Sequence, residues 1–86
     1  MIVAKITVTL KKGIRDPQGQ TAHHALENLG FDSIAEVRIG KVIHLRFDGI
    51  SKEQAADLTS DACKKLLANP VIEDFLFELH EETNHP

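Results

Sequence analysis

With 86 residues, the chain suffices for one domain that buries roughly 60% of its surface on folding, leaving little core from which to carve a deep substrate cavity. Its 10 Lys and Arg against 13 Asp and Glu give a net charge of −3, which supports solubility and excludes a general attraction to nucleic acid or to an anionic membrane. No apolar run approaches the ~20 residues of a membrane helix. Met1 leads straight into a strand pattern with no secretory leader, and the single cysteine, Cys63, excludes an intrachain disulfide. The chain therefore reads as cytosolic (cytoplasmic), and chains this small often gain stability by oligomerising.

Along the chain, Ile2, Ala4, Ile6, Val8 and Leu10 alternate with Val3, Lys5, Thr7 and Thr9, the pattern of a half-buried strand. The stretch KKGIRDPQG, Lys11 to Gly19, follows with three cations, Lys11, Lys12 and Arg15. Asp16 suits a helix N-cap and Pro17 the first helical position. Gln18 and Gly19 are surplus to a helix start, since glycine in a first turn costs about 1 kcal/mol against alanine. Something besides helix formation shaped this corner. Ala22, Ala25, Leu26 and Leu29 then recur at helical spacing from Pro17 to Leu29, with Gly30 as C-terminal cap. Residues 34–39 and 41–47 are two strand-like runs, and a tight turn at Gly40–Lys41 predicts a hairpin.

Ser51-Lys-Glu-Gln54 has the form of a capping box and opens a second helix. Ala55, Leu58, Ala62, Leu66 and Leu67 make its expected buried stripe, and Asn69–Pro70 ends it. Residues 71–79 read as a last strand with Phe75, Phe77 and Leu79 in alternation. The domain is expected over residues 1–80, with a polar, loose tail over 81–86.

The order β-α-β-β-α-β predicts an α+β, ferredoxin-like sandwich: two helices on one face of a four-stranded antiparallel sheet. The covered face holds Ile6, Val8, Leu45 and Phe77. The opposite face shows Val3, Thr7, Thr9, Val42, His44, Arg46, Leu76 and Glu78, a mixture that suits contact with another subunit as well as it suits an ordinary solvated face.

Chemistry is sparse. His23 and His24 point about 100° apart on a helix and cannot clasp one ion well. His44, His80 and His85 lie elsewhere, and no cysteine or carboxylate spacing completes a metal signature. Cys63 reads as a packing residue. The cations of the first corner with Gly13 and a helix start offer an anion site, but the glycine spacing matches neither phosphate-loop fingerprint. One glycine before Arg15, with no asparagine on the central strands, makes a poor acylphosphatase. With no Tyr or Trp, Phe47, Phe75 and Phe77 at core parity and Phe31 in a loop, the pattern offers no aromatic on the open sheet face for base stacking and argues against RNA recognition. A stand-alone oligomeric module binding a small metabolite between subunits remains the alternative to a scaffold.

Three words stand out: LKKGIRDPQG from Leu10 to Gly19, LGFDSIAEVRIGK from Leu29 to Lys41, and KLLANPVIEDF from Lys65 to Phe75. Together, in this order and spacing, they closely resemble PurS, the small subunit of multi-subunit phosphoribosylformylglycinamidine (FGAM) synthase. The resemblance runs from the first strand to about Leu79. It implies a non-catalytic bridging subunit in de novo purine biosynthesis, docking a glutaminase subunit to a large ATP-dependent synthetase subunit and assisting ammonia transfer. It further implies self-association to a dimer or tetramer, no cofactor on this subunit, no metal, and ATP (with Mg) and glutamine used by the complex. The residues expected at a partner interface are Arg15, Asp16, Pro17, Gln18, Gly19, Lys41, Asn69 and Pro70, all but Arg15 matching the family words. A cap, a turn and a helix stop explain Asp16, Gly40 and Asn69–Pro70 equally well, whereas fold alone does not require Gln18 or Lys41. Arg15 departs from the apolar residue usual in the family at that position.

Overall fold

Alternation makes residues 2–10 a strand, and that strand becomes the centre of the sheet. In the computed structural model, which describes residues 1–82, β1 (Ile2–Leu10) lies between β2 (Lys41–Phe47) and β3 (Glu73–Glu81), both antiparallel to it. The register sets Ile6 opposite Ile43 and Phe77, and Ala4 opposite Leu45 and Leu79. Cross-strand partners share a face, so these side chains form one apolar layer. Ala4, Ile6 and Val8 are sealed within it.

The helix α2 (Lys52–Ala62) covers this layer. The expected capping box starts it: Gln54 N–H donates to Ser51 Oγ at 3.1 Å, and Ser51 N–H donates to Gln54 Oε1 at 2.9 Å. Its inward stripe differs from the expected one. Ala55, Thr59 and Cys63 are buried, while Leu58 and Leu66 are 51% and 82% exposed. The layer beneath already holds Ile43, Leu45, Phe75 and Phe77, so small side chains let the helix approach where leucines would hold it off. Beyond Ala62 the chain winds into a π turn, Cys63–Leu67, in which Ala68 N–H donates to Cys63 O, five residues back, at 3.0 Å. Asn69–Pro70 then ends the helix as expected.

A further difference concerns the first half of the chain. The helix α1 (Pro17–Asn28) forms with Asp16 as N-cap, and ends in a Schellman motif at Gly30, φ +96°. There Gly30 N–H donates to Glu27 O at 3.0 Å and Phe31 N–H to Leu26 O at 3.0 Å. Yet α1 does not join α2 on the sheet, and residues 34–39, expected as a fourth strand, pair with no strand among the described residues. The sheet has three strands, not four, and the hairpin at Gly40–Lys41 is absent. The backbone of residues 34–39 is engaged by α1 instead. Ile39 N–H donates to Asp16 Oδ2, the Ile34 carbonyl meets His23, and the Val37 carbonyl sits against Gly19.

On the open face, Val42 and Leu76, 52% and 68% exposed, flank Thr7 in one row, and Val3 is buried between Arg46 and His80. The last strand begins at Glu73 rather than Val71 and continues to Glu81. Glu82 still donates its N–H to Met1 O at 2.8 Å and pairs with Arg46. Residues 83–86 of the expected loose tail lie outside the described residues.

Thr59 Oγ1 is fully buried without a hydrogen-bond partner, and such a group costs about 1–3 kcal/mol. Thr59→Val is therefore expected to raise the unfolding free energy by about 1 kcal/mol, whereas Ile6→Ala is expected to lower it by about 2–5 kcal/mol. Denaturant titration with an unchanged m-value checks both.

Candidate functional site

The corner between β1 and α1 is assembled from several chain segments. The end of β1, the turn through Gly13 (Ile14 N–H to Lys11 O, 3.1 Å), the start of α1, residues 38–40 and the starts of β2 and β3 meet there. Asp16 is its fastening. Asp16 Oδ1 accepts the Gly19 N–H at 2.8 Å and Oδ2 the Ile39 N–H at 2.8 Å, with the residue only 7% exposed. The Ile39 N–H first, then the Gly19 N–H, and to a lesser degree the nearby Arg38 guanidinium, hold this carboxyl below its ordinary range against the opposing cost of burial. Arg38 fastens the same segment to β1, its Nη2 donating to Leu10 O at 3.2 Å and Lys11 O at 3.1 Å, while Nη1 reaches Glu36 at 3.3 Å.

This arrangement answers the anion reading of the corner. The free N–H groups at the start of α1 face the chain's own Asp16 carboxylate, where an external anion would have to sit. Arg15 turns aside to donate to Gln20 Oε1 at 3.1 Å.

The residues marked in the sequence divide into two groups. Asp16, Pro17, Gln18 and Lys41 come together around an open depression of about 320 Å³, closed on its far side by Glu73. Pro17 and Gln18 also border a groove of about 520 Å³ on the flank of α1, floored by Ala22, Ala25 and Ile39. Gly19 is instead buried, with the Val37 carbonyl where a Cβ would have to go. Asn69 organises a turn: its N–H donates to Glu73 Oε1 at 2.7 Å, and its Oδ1 accepts the Val71 N–H at 3.0 Å. That turn touches the corner, because Lys11 N–H donates to Ile72 O at 2.9 Å. Pro70 is exposed on it.

Sequence reasoning missed Arg38, Glu73 and His23. His23 Nε2 lies 2.7 Å from Ile34 O, donating in its Nε2–H tautomer, and pins the middle of α1 to the extended segment. Arg38 carried one signal, a cation inside an alternating apolar run. His24 sits 3.8 Å from Glu27 on the exposed side of α1. Cys63 lies buried under α2, and burial pushes its thiol up, which disfavours the reactive thiolate. Among the described residues no three His, Cys, Asp or Glu could hold a metal ion, and no helix is long and apolar enough to cross a membrane.

The geometry defines a small α+β domain with a polar corner and an apolar groove at its surface. The PurS family model, described as phosphoribosylformylglycinamidine (FGAM) synthase, matches residues 3–81. The phosphoribosylformylglycinamidine synthase subunit PurS of Methanocaldococcus jannaschii is 41% identical over 75 residues, covering 87% of this chain and 90% of that protein. The crystal structure of Methanocaldococcus jannaschii PurS superposes with a TM-score of 0.85 at 36% identity, covering 96% of this chain and all of the other. A chain in the structure of PurLQS from Thermotoga maritima superposes with a TM-score of 0.79 at 30% identity, covering 93% and 99%. The chain belongs to the PurS family.

Gly19→Ala is expected to force the Val37 backbone away and destabilise the fold by about 1–3 kcal/mol, read by thermal unfolding. For Asp16, a folded-state pKa below the unfolded value means stability that is present above the unfolded pKa and lost as pH falls through the folded one. The stability gap between the native chain and Asp16→Asn is thus expected to be constant above about pH 5 and to shrink below about pH 4. Denaturant midpoints measured across that range check it.

Proposed function

We propose that this chain serves as the PurS subunit of FGAM synthase in purine biosynthesis, a bridging piece without catalytic groups of its own. It docks the glutaminase subunit to the large ATP-dependent synthetase subunit. The observation that carries this reading is the family match along residues 3–81, and the likeness to a chain of PurLQS supports it. The chemistry agrees. Ammonia released into water is mostly protonated and has no lone pair for attack, so two sites that share it need a docked path that excludes water. A bridging subunit assists by holding the two sites in register. ATP with Mg, and glutamine, belong to the other subunits.

The partner-facing residues in this reading are the exposed ones of the corner: Arg15, Pro17, Gln18 and Lys41, with Pro70 on the adjoining turn. Asp16 and Gly19 hold that surface in shape from within, and the exposed Asn69 shapes the adjoining turn. The chain itself associates into dimers or tetramers.

Reconstitution tests the reading. Leaving this chain out of a mixture of the two partner subunits is expected to abolish glutamine-dependent synthesis and to leave ammonia-dependent synthesis largely intact. Equal glutamine-dependent rates with and without it would sink the proposal. Gln18→Ala is expected to leave thermal unfolding unchanged and to weaken assembly with the partners about five- to tenfold, the worth of one exposed polar contact near 1 kcal/mol, measured by calorimetry.

A further inference from the structure

Charge is unevenly placed on this chain. Its net charge is −3, yet five of its 10 Lys and Arg (Lys11, Lys12, Arg15, Arg38 and Lys41) gather where β1 ends and β2 and β3 begin. Many of the carboxylates sit elsewhere, Glu53, Asp57 and Asp61 on α2 and Glu78 and Glu81 toward the opposite end of the sheet. Most of those near the cations are already engaged. Asp16 is turned inward, Glu36 pairs with Arg38 at 3.3 Å, and Glu73 accepts the Asn69 N–H at 2.7 Å. Asp74 is the exposed one. Among the described residues Lys11, Lys12, Arg15 and Lys41 make no ion pair. Clustered like charges repel, and folding gathers these without gathering their counter-charges.

The end of β1 also lies between two depressions. The one of about 320 Å³ carries Lys41, and another of about 390 Å³, reaching Thr9 and Asp74 on the open face, carries Lys12 and Arg38. Leu10, Ile39 and Gly40 border both, and Gly40 lies so near the Val8 carbonyl that no side chain fits there. Next to Lys11, whose N–H donates to Ile72 O at 2.9 Å, the turn after α2 exposes Pro70 and Val71. Apolar surface rimmed by charge is how protein contacts are built. A phosphate would instead seek the free N–H groups at the start of α1, and Asp16 holds that place.

We propose that the partner segment docked at this corner is acidic. Its carboxylates lie along the end of β1, between Lys41 on one side and Lys12 with Arg38 on the other. An apolar side chain of the same segment rests on Pro70 and Val71. This deepens the docking role proposed above and rests on it, and it extends the contact to Lys12 and Arg38 on the far side of β1. The net charge of −3 repels an acidic partner from most directions, so the cations orient the approach and the corner arrives first. Such steering reaches about 8 Å at physiological ionic strength. It speeds association in low salt and fades as salt is added.

Stopped-flow association of the full chain with the two partner subunits tests this. The association rate constant is expected to fall about tenfold between about 20 and 300 mM NaCl, a measurement that needs no variant. Lys12→Glu is expected to slow association about tenfold at the lower salt. Lys52→Glu, which changes the net charge equally at the start of α2, is expected to leave the rate within about twofold. Thermal unfolding of both variants is expected to match that of the native chain. A rate independent of salt, or an equal loss in the two variants, overturns the acidic segment and leaves the docking role standing. Failure of the native chain to associate at all overturns both. Sedimentation of the isolated Lys12→Glu chain distinguishes a second copy as occupant. An unchanged species supports a partner's acidic segment, whereas a smaller one assigns the corner to the acidic α2 of another copy and overturns the proposal.

Discussion

Both oxygens of Asp16 accept a backbone N–H, one from Gly19 and one from Ile39, and the path of everything between β1 and β2 depends on that pair of bonds. The first is a local helix cap. The second reaches 23 residues along the chain and decides which neighbour the extended segment keeps. Charge-assisted bonds of this kind are stronger than neutral ones, and here each satisfies a donor that would otherwise lack a partner. Gly19 and Arg38 complete the fastening, one by permitting the Val37 carbonyl to come close, the other by gripping the carbonyls at the end of β1. The corner is thus a rigid joint between an extended arm and a small sandwich.

Features with a local cause were legible in the sequence. The alternation of β1, the box at Ser51 and Gln54, the cap at Gly30 and the stop at Asn69–Pro70 each depend on a few neighbouring residues, and each formed. The fourth strand did not, because alternation from Ile34 to Ile39 specifies an extended backbone without naming its partner. A carboxylate far upstream made that choice. The stripe of α2 was misplaced for a related reason. Hydrophobicity favours Leu58 and Leu66, but how closely a helix can approach bulky strand residues favours Thr59 and Cys63, a fact visible only once Phe75 and Phe77 are opposite. At the corner, the sequence singled out Gln18 and Lys41 because no local rule required them, and folding sets both beside Pro17 on one depression. Arg38 and His23 act on carbonyls brought near by folding, and a charge or an imidazole in a run of sequence does not announce such a target.

The same corner separates two kinds of residue within one short word. Asp16 and Gly19 are turned inward and set the shape, whereas Pro17 and Gln18, between them in sequence, are turned outward and border both the polar depression and the apolar groove. Alternating support and display so closely lets a small chain present a firm surface without a large core behind it. Rigidity of presentation limits the ordering cost of any association at such a surface.

The π turn after α2 holds one residue more than an ordinary turn, and it brings Leu67 and Ala68 together against the core to which Cys63 belongs. The stretch from Cys63 to Asn69 therefore carries one residue of slack. A relative shorter by one position there would recover regular winding and still deliver its chain to the same start of β3, so length variation in this fold has a ready place to be absorbed, well away from the joint at Asp16.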